Sequence, residues 1–218
     1  LEALGVKLTQ PLEHIQKSIA ELNIGFMFAP AHHGAMKHAI GPRKELAQRT
    51  IFNVLGPLTN PAGAKRQVIG VFDKTLCRPL AEVLLALGSE HVMVVAADDG
   101  LDEISLAVNT HVAELKEGVV SEYEIYPGGV GVDAQSLDGL AVADAEESLG
   151  LIKGALTGDA DARSRKAADM IAVNAGAAIY VAGLAESYSQ GVAMAQDVIA
   201  TGLAYEKLRS LAERRSCF

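Results

Sequence analysis

An α/β fold, with a mixed, mostly parallel sheet flanked by helices, is what this sequence predicts, and three observations predict it. First, the apolar runs QVIGVF (67–72) and HVMVVAA (91–97) have the length of buried strands and flank an amphipathic helical pattern over 75–87. That is a βαβ unit with a parallel strand pair. Second, ISLAVNTHVAEL and VVSEYEIY form a strand-rich excursion with Gly118 at its turn. Third, the remainder is helical, with starts punctuated by Asp144, Asp161 and Ser187. A length of 218 residues, half of them apolar and 21% charged, supports a packed core and excludes a disordered chain.

Taken in order, the opening LEALG has no Met and reads as the last turn of a helix closed by Gly5, so further sequence is expected before it. Thr9 is placed to cap a helix running to about Leu22, with Leu12, Ile15, Ile19 and Leu22 at steps of three and four. Asn23 and Gly25 end it. GFMFAP reads as a buried strand whose exit loop carries His32 and His33, followed by helices from about Ala35 and from Pro42 to about Val54. GPLTNP stops the second of these. After the βαβ unit and the strand pair, helices are expected over 144–156, 161–181, 187–200 and 203–214, with glycine joints that permit close packing. PGGVGV (127–132) lacks the spacing and the following helix of a phosphate loop and reads as a turn. No repeat or low-complexity linker divides the chain, so residues 1–218 are read as one α/β domain without an independent second domain.

Charge is uneven. The chain carries a net −8, which argues against general nucleic-acid affinity. Residues 30–66, however, hold six basic side chains against the single acid Glu45, a local +5 that leaves −13 on the rest. With His32, His33 and His38 nearby, this stretch suits a small anion. The most apolar run, 171–185, is too short to span a bilayer and is interrupted by Asn174. Cys77 and Cys217 are two cysteines 140 positions apart with no signal peptide, which points to reduced thiols and a cytoplasmic setting.

Three motifs carry chemistry. DDGLDE (98–103) places four carboxylates after a buried strand, where open α/β sheets bind ligands. Its adjacent Asp102 and Glu103 suit magnesium completed by diphosphate oxygens, whereas Asp98 and Asp99 before Gly100 also suit an acidic turn. FAPAHHGAMKHAIGPRKELAQRT (28–50) offers Arg43 as a planar clamp for a carboxylate. Zinc is disfavoured there because no Cys or HExxH partner accompanies the histidines. NVLGPLTNPAGAKR (53–66) makes a Pro- and Gly-rich loop whose amides can approach an anionic or ribose-bearing ligand. No Ser/His/Asp triad or activated cysteine is evident, and no catalytic acid or base is assigned.

The strings FMFAPAHHGAMKHAIGPRKELAQRTIFNVLGPLTNP and DDGLDE, together with NAGAAIYVAG, resemble the anthranilate phosphoribosyltransferase family over essentially the whole chain. The resemblance implies transfer of phosphoribosyl from phosphoribosyl pyrophosphate to anthranilate in tryptophan biosynthesis, with pyrophosphate released and Mg2+ as cofactor, in a cytoplasmic homodimer. It places His33 and Met36 along the acceptor tunnel, Pro30 and Gly56 in its wall, Arg43 on the anthranilate carboxylate, and Asp102 and Glu103 on magnesium. It also assigns 32–54 to part of a helical subdomain. Gly34 and Met36 depart from the family's more usual residues. The family's GTGGD, KHGN and SxxGSAD segments are expected upstream of Leu1, with the helical N-terminal domain, so the chain alone is expected to be inactive. Two alternatives remain: a pyrimidine nucleoside phosphorylase-like enzyme of the same architecture, and a non-catalytic paralogue that keeps the fold and binds nucleic acid or protein.

Overall fold

A computed structural model describes residues 1–32, 56–60 and 62–213, and the chain divides into two compact units, one drawn from 1–63 with 204–218 and the other from 64–203. In the first unit, the Gly5 N–H donates to the Glu2 carbonyl and the Val6 N–H to the Leu1 carbonyl, with Gly5 at φ 88°. This is the Schellman closure of a helical turn that LEALG suggests. α1 spans Leu12–Leu22 and ends on Asn23 in the left-handed region. Its N-cap is Pro11, not Thr9, and no side chain caps it. Proline fixes the entry and has no N–H to satisfy. Only Ile15 and Ser18 of α1 are buried, while Leu12 and Ile19 remain exposed.

GFMFAP is not a strand. Its half-buried residues run irregularly into a single turn, α2 (Ala29–His32). The Ser18 hydroxyl donates to the Ile24 carbonyl at 2.8 Å, and Gly25 lies so close that a Cβ there would stand 2.8 Å from Ile19 Cγ1. The segment is therefore held by α1 rather than by a ladder, and no strand pairs with it among the described residues. The helices expected over 35–54 lie outside the described residues.

The second unit is built on a four-stranded sheet in the order β1 (Arg66–Gly70), β2 (His91–Ala97), β3 (Thr110–Lys116), β4 (Val119–Ile125). β1 and β2 are parallel, in register from Arg66 opposite His91 to Gly70 opposite Val95, and are joined through α3 (Cys77–Ala86). The βαβ unit stands as expected. β2–β3 and β3–β4 are antiparallel, so the sheet is mixed but, among the described strands, mostly antiparallel. The cause is local: Glu117 (φ 52°) and Gly118 (φ 78°) form a two-residue turn with both residues left-handed, which forces a tight hairpin. The expected strand content of 104–108 is instead a loop.

Every residue of β2 is buried. Met93, Val95 and Val112 face α5 (Ala162–Val181), meeting Val173, Ala177 and Val181, and the opposite face takes Leu80, Ala81 and Leu84 of α3. The flanking helices start as read: Asp144 caps α4 (Ala145–Thr157), Asp161 caps α5 and Ser187 caps α6 (Tyr188–Ala200), each accepting a backbone N–H of its first turn. α7 (Leu203–Glu213) completes the described helices. PGGVGV begins as a short 3-10 turn and buries Val130 and Val132, in keeping with its reading as a turn. Two buried polar groups of the sheet meet each other: His91 Nε2 lies 2.8 Å from Glu114 Oε1, and the Tyr180 ring packs edge-on to His91. No helix of the described residues is long and apolar enough to cross a membrane.

Candidate functional site

β2 delivers its carboxyl end into DDGLDE, and the fold divides the four carboxylates of that segment into two pairs. The Asp98 N–H donates to the Asn109 carbonyl at 3.0 Å, and its side chain pairs with Lys74 at 3.2 Å. Asp99 accepts from the Leu101 N–H at 3.1 Å and from the Ser105 hydroxyl at 3.0 Å. Gly100, at φ 85°, lets the chain turn back so that the Ala97 N–H reaches the Leu101 carbonyl. Asp98 and Asp99 thus perform the acidic-turn role.

Asp102 and Glu103 are different. Both are exposed, and neither side chain makes a hydrogen bond or ion pair among the described residues. Partial desolvation, and then the neighbouring Asp102 carboxylate, raise the Glu103 carboxyl above its ordinary range. Two like charges held side by side, with no counterion among the described residues, favour a cation. No cluster of three or more His, Cys, Asp or Glu suited to a metal exists among the described residues. Two adjacent carboxylates are a donor set that fits magnesium, which takes one or two carboxylates and completes its shell with water and phosphate oxygens.

Two residues that sequence reasoning did not assign to this site shape it. Gly70, the last residue of β1, lies under the loop, where a Cβ would overlap the Asp102 carbonyl oxygen. Asn174, on α5, accepts the Ile104 N–H on Oδ1 at 2.9 Å and donates from Nδ2 to the Ile104 carbonyl at 3.0 Å and the Met170 carbonyl at 3.1 Å. Its signal in the sequence was an amide inside an otherwise apolar helical run.

The fold brings Asp102 and Glu103 together in the second unit. Pro30, within α2, and Gly56, a helical residue whose carbonyl accepts the Thr59 N–H at 3.1 Å, belong to the first. A Cβ at Gly56 would meet no atom within 4 Å. His33, Met36 and Arg43 lie outside the described residues.

A mixed sheet with helices on both faces, bearing a carboxylate pair beyond a strand end, defines an α/β domain with acidic groups at the sheet edge where open α/β sheets commonly bind ligands. The chain belongs to the glycosyl transferase family, a/b domain, whose family model matches residues 1–205. Within that family it is 64% identical over 213 residues to the anthranilate phosphoribosyltransferase of Teredinibacter turnerae, covering 98% of this chain and 62% of that protein. The Hahella chejuensis anthranilate phosphoribosyltransferase is 62% identical over all 218 residues, which cover 63% of it. The crystal structure of anthranilate phosphoribosyltransferase from Thermus thermophilus superposes with a TM-score of 0.87 at 40% identity, over 97% of this chain and 61% of that one. The Saccharomyces cerevisiae enzyme in complex with PRPP and Mg shares the fold with a TM-score of 0.84 at 24% identity, over 97% of this chain and 60% of that one. The chain thus spans a little over three-fifths of the length of the curated relatives it matches.

Proposed function

We propose that the native protein transfers phosphoribosyl from phosphoribosyl pyrophosphate to anthranilate, releasing pyrophosphate, as a cytoplasmic homodimeric enzyme of tryptophan biosynthesis. The observation that carries the reading is the Asp102–Glu103 pair at the carboxyl end of β2, without a side-chain partner among the described residues, in a chain this similar to anthranilate phosphoribosyltransferases. Asp102 and Glu103 would hold magnesium, whose charge would there stabilise the negative charge gathering on the leaving diphosphate more in the transition state than in the ground state.

The remaining work falls to positioning. Arg43 would receive the anthranilate carboxylate in a bidentate contact, His33 and Met36 would line the acceptor path, and Pro30 and Gly56 would form its wall. The stretch 32–54 would contribute to a helical subdomain. The aniline nitrogen is weakly basic, so its lone pair is available at neutral pH and no general base is required. The local +5 of residues 30–66 would favour an anionic acceptor in an otherwise acidic chain.

The test uses two variants of the native protein. Asp102→Asn with Glu103→Gln is expected to keep its near-UV circular dichroism while losing magnesium-dependent turnover. An unchanged metal titration in that variant would overturn the assignment. Arg43→Ala is expected to raise KM for anthranilate by about 30- to 150-fold, the equivalent of about 2 to 3 kcal/mol for a charged hydrogen-bonded contact, with little change for phosphoribosyl pyrophosphate. Equal effects on both substrates would remove Arg43 from the acceptor site.

A further inference from the structure

We propose that Asn174 is a positioning residue for the Asp102–Glu103 pair, with Gly70 as its counterpart at the preceding peptide group; this rests on the metal-binding reading of the pair. Glu103 lies between two peptide planes. The plane before it carries the Asp102 carbonyl, which sits in the space that the missing Cβ of Gly70 leaves open. The plane after it carries the Ile104 N–H, which Asn174 Oδ1 holds at 2.9 Å. With both planes fixed from outside, the φ and ψ of Glu103 are fixed, and so is the direction in which its Cα–Cβ bond leaves the backbone.

The Glu103 carboxylate has no hydrogen bond or ion pair of its own among the described residues, so among them it is the backbone that orients it. Two adjacent anions repel and would swing apart unless their backbone held them. Asn174 can serve both Ile104 groups at once because a carboxamide alone combines an acceptor and a donor in one planar group of this size. Aspartate would set a carboxylate oxygen against the Ile104 carbonyl, and leucine would leave both backbone groups without partners. An asparagine inside a helix is ordinarily neutral to unfavourable, and this one commits its amide to Ile104 and to the carbonyl of Met170 one turn back. Ile104 itself is fully buried, so the anchor rests in the core while the carboxylates reach solvent.

The experiment measures Mn2+ affinity by electron paramagnetic resonance, with inorganic pyrophosphate present, and the magnesium dependence of turnover, both in the native protein. Asn174→Ala and the size-preserving Asn174→Asp are each expected to weaken Mn2+ binding and raise half-saturating magnesium about 10-fold or more, the usual range for partners that orient metal ligands, while KM for anthranilate stays within about two-fold. Gly70→Ala should give the same metal shift with Asn174 untouched. A merely structural role predicts a lower melting temperature with unchanged half-saturating metal in the folded protein, and that result overturns the proposal. Asp102→Asn with Glu103→Gln separates the two readings. If that variant loses metal binding and the Asn174 variants do not, positioning fails alone; if it retains metal binding, the metal reading fails and positioning fails with it.

Discussion

Cys77 opens α3 with no exposed surface, and burial, followed by the charges of Glu122 and Asp73, pushes its thiol up to about 12. The neutral thiol is thus favoured in the folded chain, where Cys77 is free and buried. The sign for stability follows. A folded-state value above the unfolded one, near 8.5, gives a contribution that is complete below about pH 8.5 and is lost as pH rises towards 12, at up to about 1.4 kcal/mol per pH unit. Iodoacetamide at pH 8 is therefore expected to leave Cys77 unlabelled in the native state and to label it in urea. Cys77→Ala is expected to flatten the alkaline limb of the stability curve. Native labelling as fast as that of the unfolded chain would show that the helix start opens freely.

The boundaries of single elements were legible where a side chain writes them. Asp144, Asp161 and Ser187 each accept backbone N–H groups within the next three residues, so the starts of α4, α5 and α6 could be read directly. Thr9 and GFMFAP could not, because Pro11 pre-empts the cap and the partner of Gly25 is a helix, a tertiary fact that periodicity does not carry. The glycines divide in the same way. A Cβ on Gly191 of α6 would overlap the Gly176 carbonyl of α5, and one on Gly176 would stand 2.6 Å from the Val192 backbone nitrogen. Gly150 of α4 meets nothing within 4 Å. Gly191→Ala is expected to cost about 1 to 3 kcal/mol by forcing two packed helices apart, and Gly150→Ala to stabilise by up to about 1 kcal/mol through helix propensity. Urea midpoints measure both, and equal shifts would refute the close approach of α5 and α6.

Across the whole chain, the βαβ core and the acidic strand end were visible because each is local in sequence, whereas the parts that aim the acidic pair were not. Gly70, Asp102 and Asn174 come from a strand, a loop and a helix spread over a hundred positions, and only folding shows that one loop depends on all three. On the proposed function, the same scale decides how phosphoribosyl pyrophosphate would be met. The chain bears a net −8, and Asp102 and Glu103, without side-chain partners among the described residues, would repel a diphosphate unless a divalent cation offset their charge. The 218-residue chain, spanning 62% of the Teredinibacter relative, is therefore expected to bind phosphoribosyl pyrophosphate only when magnesium is present, and weakly. In calorimetry without magnesium, a Kd weaker than about 1 mM is expected, equivalent to less than about 4 kcal/mol of binding. Adding magnesium should produce a measurable heat that Asp102→Asn with Glu103→Gln abolishes. Tight binding with chelator present would mean that cationic or amide donors of this chain, not the bridged carboxylates, hold the diphosphate.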